Sequence, residues 1–233
     1  MASENATFET GYTKAFIAPL YLMMYVALFV AFSLLAAWTV SILFLLYVWD
    51  MNVTLFQQVL IASAEFSLNY GGKFLPPDLA YQFGTKLHHF LFVQIPVEPL
   101  IMHDPNTLKG FDKSMRSTLV SLLPYVQTCS IATKLYGIRV GIWLTYLPLW
   151  VVLGFVGVSD GLTERYIRRA CAGRESSGLY HRAKYTAAML FGGSLLLFVI
   201  VPLQYDPMPF AVLIAIFVSL LLRMQWKYFK KYL

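Results

Sequence analysis

The sequence predicts an all-α, polytopic integral membrane protein with four transmembrane helices and a helical outward-facing region between the first and second. Two observations carry this prediction. Hydrophobic residues make up 58% of the chain and charged residues only 13%, whereas a soluble domain carries about 25% charge. The charge is also unevenly placed. None falls between Lys14 and Asp50, while six of the 18 Lys+Arg residues crowd into 160–184, a link between two apolar runs.

The elements follow in order. Residues 1–20 read as a polar tail. Glu4 and Glu9 argue against a cleavable signal, which opens basic and turns apolar at once. The uncharged run that follows exceeds the roughly 20 residues a helix needs to cross the hydrocarbon core. It places transmembrane helix 1 at 21–49, with Tyr21 and Tyr25 at one interface and Tyr47 and Trp49 at the other. Residues 50–139 form the outward-facing region, in which seven basic residues nearly balance six acidic ones. Phe56, Val59, Leu60 and Ala64 recur there at helical spacing, and Pro76-Pro77 and Asp104-Pro105-Asn106 divide it. Its last part, 117–133, is uncharged but carries Pro124 and Gln127. It reads as an amphipathic or partly buried helix leading into the next span, with a fifth span as the alternative. Transmembrane helix 2 is placed at 140–159, with Pro148 as a kink. An Arg-rich loop covers 160–185. A transmembrane hairpin covers 186–222 and turns at Tyr205-Asp206-Pro207. A basic tail, 223–233, ends the chain.

Basic residues in short loops mark the cytoplasmic face. Both the Arg-rich loop and the tail then lie in the cytoplasm, as does the N-terminus. The net charge of +6 is therefore explained largely by topology. The loop is short and lacks the interleaved aromatics of a nucleic-acid platform, so direct contact with DNA is not expected.

Several chemistries are excluded. The four span cores lack Asp, Glu, Lys, Arg and His, the groups that ion-coupled transporters and intramembrane proteases require. His88-His89 and His103 lack further ligands at metal-binding spacing. Gly71-Gly72-Lys73 lacks the upstream glycine and following hydroxyl of a phosphate loop. Cys129 and Cys171 flank a span and read as free thiols. The expectation is a non-enzymatic protein with no catalytic residues, metal or cofactor. Asn5-Ala6-Thr7 and Asn52-Val53-Thr54 match the glycosylation acceptor pattern, which is short and therefore weak, and would carry no weight were the chain bacterial. Ala188, Gly192 and Gly193 are small residues that let helices approach closely in lipid. They read as a packing seam within the chain, or else as a homo-oligomer contact.

The 160–184 segment is more ordered than a charge rule demands. As a helix over 162–171 it would gather Arg165, Arg168 and Arg169 on one face and Tyr166, Ile167 and Ala170 on the other. Such a helix lies in the interface plane, against the lipid bilayer. Glu164 would pair with Arg168 one turn on. Gly173 would stop the helix, and Ser176 or Ser177 would cap the next one.

Specific residues here form a pattern: Asp160-Gly161-Leu162, Arg165, Arg168-Arg169, Gly173-Arg174-Glu175-Ser176-Ser177, Tyr180-His181 and Ala183-Lys184. In this stretch the chain resembles a family of inner-membrane proteins from conjugative plasmids and integrating conjugative elements. Nothing in residues 1–130 matches the pattern. The resemblance implies an accessory subunit, in the bacterial inner membrane, of a type IV secretion-like DNA-transfer apparatus. It would work beside other membrane subunits, the coupling ATPase among them. Arg165, Arg168, Arg169, Arg174 and Glu175 would then form the docking surface. Asp160, Gly161, Gly173, Ser176, Ser177, Tyr180 and His181 would shape the loop. A transporter or channel subunit, and a surface-exclusion factor acting through 50–139, are the competing classes.

Overall fold

A computed structural model describes residues 2–70, 76, 78–104, 110–171 and 177–229. The described residues form α-helices with one π-helical turn and no strand. Four helices are long and apolar enough to cross a membrane: Pro19–Tyr47, Leu147–Ala170, Gly178–Ile200 and Pro207–Lys227. The protein is a multi-pass, all-α membrane protein, as the sequence predicts.

Helix α1 (Ala2–Tyr47) is 46 residues long and at 1.5 Å per residue spans about 69 Å. Its stretch 19–32 is exposed throughout. From Ser33 a buried stripe begins: Ser33, Leu34, Ala37, Ser41 and Leu45, spaced three to four apart as one helical face requires. Asp50 and Met51 adopt positive φ and turn the chain into α2 (Val53–Tyr70). Asn52 caps α2 by accepting a hydrogen bond from the Thr54 amide at 3.0 Å.

The middle of the chain is α3 (Leu79–His88), a π-helical turn (His89–Gln94), α4 (Val97–Met102), α5 (Phe111–Ser121) and α6 (Leu123–Thr145). Helix α6 is the hub. Its buried residues include Ile131, Ala132, Leu135, Tyr136, Ile138, Ile142 and Trp143. They join Leu34 and Ala37 of α1, Ala80 of α3, and Phe56 and Val59 of α2 in two clusters. Trp38 donates to Thr133 Oγ1 at 2.9 Å, and the Ser33 and Tyr136 hydroxyls bond at 2.7 Å. Helices α3 and α6 touch backbone to backbone. A Cβ on Gly84 would sit 2.7 Å from Ile138 Cγ1, and one on Gly137 would sit 2.5 Å from the Gly84 Cα. Segment 117–133 thus leads into a protein-buried helix, not one lying on the membrane.

The second span does not begin at 140. Helix α6 ends at Thr145, and α7 runs over Leu147–Ala170. Pro148 sits in the first turn of α7, where its missing N–H is tolerated, whereas within a longer helix it would cost a hydrogen bond and a clash. The apolar run and the Arg-rich segment are then one continuous helix. No separate interfacial helix covers 162–171, because Gly157 and Gly161 are not breakers but points of close approach. A Cβ on Gly161 would lie 2.5 Å from the Arg223 carbonyl oxygen, and one on Gly157 would collide with Ser219. These glycines bring α9 (Pro207–Lys227) alongside α7, running in the same direction. Helix α8 (Ser177–Ile200) returns between them in sequence. Asp206 caps α9, accepting from the Met208 amide at 2.9 Å.

The packing seam assigned to Ala188, Gly192 and Gly193 lies elsewhere. Ala188 is exposed, and a Cβ on Gly192 or Gly193 would meet nothing within 4 Å. Helix α8 instead buries Ala183, Ala187 and Ser194.

Candidate functional site

The basic ends of α7, α8 and α9 meet. Arg223 on α9 reaches Asp160 Oδ2 at 2.8 Å and pairs with Glu164, and Lys227 reaches the other Glu164 oxygen at 2.7 Å. Glu164 therefore serves α9 rather than Arg168, because α9 brings two cations within reach of it. One helical turn further on, the Arg165 guanidinium lies over the Phe229 ring, 5.2 Å from its centre. That of Arg168 lies over Tyr228 at 4.7 Å. Phe229 also packs on Trp226 and on Tyr180 of α8, at 5.4 and 5.6 Å. The short aromatic run Trp226-Lys227-Tyr228-Phe229 is the signal that sequence reasoning missed.

The predicted docking face is therefore divided. Arg165 and Arg168 turn inward onto α9, while Arg169 is exposed. His181, Arg182 and Lys184 are exposed in the first turns of α8. Asp160 and Gly161 lie inside α7 and bind it to α9 instead of shaping a loop. Tyr180 packs against the chain end. Gly173, Arg174, Glu175 and Ser176 lie outside the described residues. Ser177 is the first residue of α8. Cys129 is half-buried and Cys171 exposed, and both are free thiols.

Two further polar centres are present, the first of them at the other end of α8. Arg139, 2% exposed, donates to the carbonyls of Phe198 at 2.9 Å, Leu203 at 2.6 Å, and Val201. Phe198 lies in the last turn of α8, where carbonyls lack a partner within the helix and carry its negative dipole end, and Val201 and Leu203 lie just beyond it. The Phe198 and Tyr205 rings flank the guanidinium at 5.5 and 5.4 Å. Burial lowers its pKa to about 10, with Tyr205 opposing the shift, so Arg139 stays charged at neutral pH. It borders a cavity of about 430 Å³ shared with Ser63, Gln204 and Asp206.

The second centre ties α3, α4 and α6 together. The Ser130 hydroxyl donates to Glu98 Oε1 at 3.2 Å. His88 Nε2 lies 3.0 Å from that oxygen and 2.7 Å from the hydroxyl. Both partners meet the same ring nitrogen, so Glu98 does not orient the imidazole through its other nitrogen as a catalytic triad requires. The neighbouring His89 is exposed. Burial first, then the Lys134 charge, push the His88 pKa below its ordinary 6.5, against the pull of Glu98. The folded state thus resists protonation more than the unfolded chain does. His88 costs no stability above pH 6.5, and the penalty grows as pH falls below it. Chemical denaturation from pH 7 to pH 5 should show stability falling, and His88→Gln should flatten that slope.

These features define a multi-pass membrane protein with a cross-linked, positively charged helix cluster at one end. A family model described as IncC plasmid conjugative DNA transfer protein DtrJ-like matches residues 78–230. The chain belongs to the DtrJ-like family, whose role is in conjugative DNA transfer. The match begins at α3, far ahead of the 160–184 pattern. Comparison with curated proteins and with solved structures gives no match.

Proposed function

We propose that the protein is a non-enzymatic inner-membrane subunit of a type IV secretion-like conjugation machine. In this reading it docks or supports the coupling ATPase on the cytoplasmic side. The observation that carries the reading is the clamped basic end of α7, α8 and α9. Ion pairs and ring contacts hold three helix ends together, so the exposed cations are presented on a fixed frame. Membership in a DNA-transfer family supplies the process. The rule that basic ends stay in the cytoplasm supplies the side on which a cytoplasmic motor would be met.

The docking surface shifts under this reading. Among the described residues, Arg169, Arg182 and Lys184 carry the exposed charge, and Arg174 and Glu175, which fall between α7 and α8 in the sequence, stay in the proposed set. Arginine offers a planar fork of donors suited to carboxylates on a partner. The double charge reversal Arg169→Glu with Arg182→Glu should lower mating frequency by at least tenfold while the protein stays in the membrane fraction. Wild-type transfer by that variant would sink the docking role.

A further inference from the structure

We propose that the cavity beside Arg139 is a binding site for a small zwitterion, an ammonium joined to a carboxylate or phosphate, with the oxyanion held by Arg139 and the ammonium by Asp206. The site lies at the opposite end of α8 from the basic cluster, so the proposal stands apart from the docking reading. The first observation is an unused donor. Arginine carries five N–H donors in a fixed fork. The carbonyls of Phe198, Val201 and Leu203 engage Nη1 and Nη2, and Nε donates to nothing in the chain. The indole nitrogens of Trp143 and Trp150 are sealed from solvent, whereas this Nε is open to a water-sized molecule. Arg139 borders a cavity of about 430 Å³. A ligand there gains a charged donor on a residue that is otherwise buried.

The second observation is charge. Buried charges are paired as a rule, yet no carboxylate among the described residues forms an ion pair with Arg139. The carbonyl dipoles at the end of α8 supply only partial negative charge. Asp206 borders the same cavity and is exposed. Its Oδ1 caps α9 by accepting from the Met208 amide, and among the described residues it too makes no ion pair. One cavity thus holds a cation and an anion that do not neutralise each other.

These two charges select the ligand class. A simple anion at Arg139 would be repelled by Asp206, and a simple cation at Asp206 by Arg139. An apolar ligand would leave both charges unmet. A zwitterion meets both, and inside a protein cavity each attraction is stronger than in water. The Ser63 hydroxyl donates to the Val59 carbonyl at 2.9 Å, which leaves its oxygen free to accept from an ammonium. Gln204 adds an amide, and Phe66, Ile142 and Pro207 give the wall an apolar part. The same dipolar chemistry comes from a free α-amino acid and from the ethanolamine phosphate head group of a lipid.

The test uses the full chain purified in detergent and delipidated. Trp143 reports on the site, because its ring packs on Phe198. Glycine, O-phosphoethanolamine and phosphatidylethanolamine are the dipolar probes. Acetate, inorganic phosphate and ethylamine each carry one sign of charge. Tryptophan emission and thermal melting follow each titration. The expected result is saturable binding of a dipolar probe, at least tenfold tighter than any probe of single sign. Binding of glycine or O-phosphoethanolamine assigns a soluble ligand, and binding of phosphatidylethanolamine alone assigns a lipid head group. Asp206→Asn keeps a capping oxygen but loses the charge. It should weaken the dipolar probe at least tenfold and leave acetate and phosphate bound no more weakly than before. Arg182→Gln, at the far end of α8, should change nothing. Equal binding of the single-sign probes overturns the proposal. So does a failure of every dipolar probe to bind, or wild-type binding by Asp206→Asn.

Discussion

Replacing Gly137 with leucine should destabilise the protein by roughly 3 kcal/mol or more and reduce DNA transfer to background. A Cβ at this position would lie 2.5 Å from the Gly84 Cα and 3.0 Å from the Gly84 nitrogen. Backbone cannot move aside as a flexible side chain can, so α3 and α6 must separate. Helices α1, α2, α3 and α8 all pack on α6, and the damage therefore spreads beyond one contact. Thermal unfolding in detergent, read by tryptophan fluorescence, measures the loss. Gly192→Leu is the matched control. It sits in open space on α8, and removing a glycine from a helix interior gains about 0.5–1 kcal/mol. A variant at Gly137 that melts like wild type would overturn the backbone-contact reading.

The second large effect is expected at Arg139. Arg139→Met keeps much of the stem but removes every guanidinium donor to Phe198, Val201 and Leu203. The Leu203 carbonyl would lose its partner, the Phe198 carbonyl would keep only the Tyr205 hydroxyl at 3.2 Å, and the Val201 carbonyl only the Leu203 amide at 2.9 Å, at about 1–3 kcal/mol for an orphaned group before relaxation. A net loss of about 3–5 kcal/mol follows the pattern for breaking a buried charged centre. Arg139→Lys should recover only part of it, because one ammonium cannot reproduce the planar fork. Trp143 packs against Phe198 with ring centres 5.5 Å apart, so its emission reports directly on this joint. Equal stability of the methionine variant would show that water satisfies the carbonyls.

The four spans were legible because lipid imposes a simple condition. A crossing helix must be long, apolar and nearly free of charge, and only hydropathy along the chain is needed to see it. The capping Asp206 was legible in kind, since an Asp-Pro pair after an apolar run marks a turn and a new helix. Helix α6 was not legible, because Lys134 and Arg139 lower its hydropathy and its burial comes from protein neighbours. The clue was spacing: Ala80 with Gly84, Gly137 with Gly141, and Gly157 with Gly161 are small pairs four apart. The same spacing at Ala188 and Gly192 misleads, since it says that a backbone could approach and not that one does. Of the candidate site, the cluster of cations was visible, but not its division. Which arginines turn inward depends on α9 running parallel to α7, a relation between residues about sixty positions apart.

That parallel pairing has a consequence for biogenesis. Helix α7 leaves the ribosome well before its partner α9, and Arg139 leaves before the α8 carbonyls it caps. At that stage the glycine face of α7 and the acidic pair Asp160 and Glu164 have no counterpart. The joints of α7 with α9 and of Arg139 with the end of α8 close only once the last hairpin has been inserted. The α7–α9 joint is therefore held open until α9 has emerged, and the arrival of α9 acts as a check on that part of the bundle.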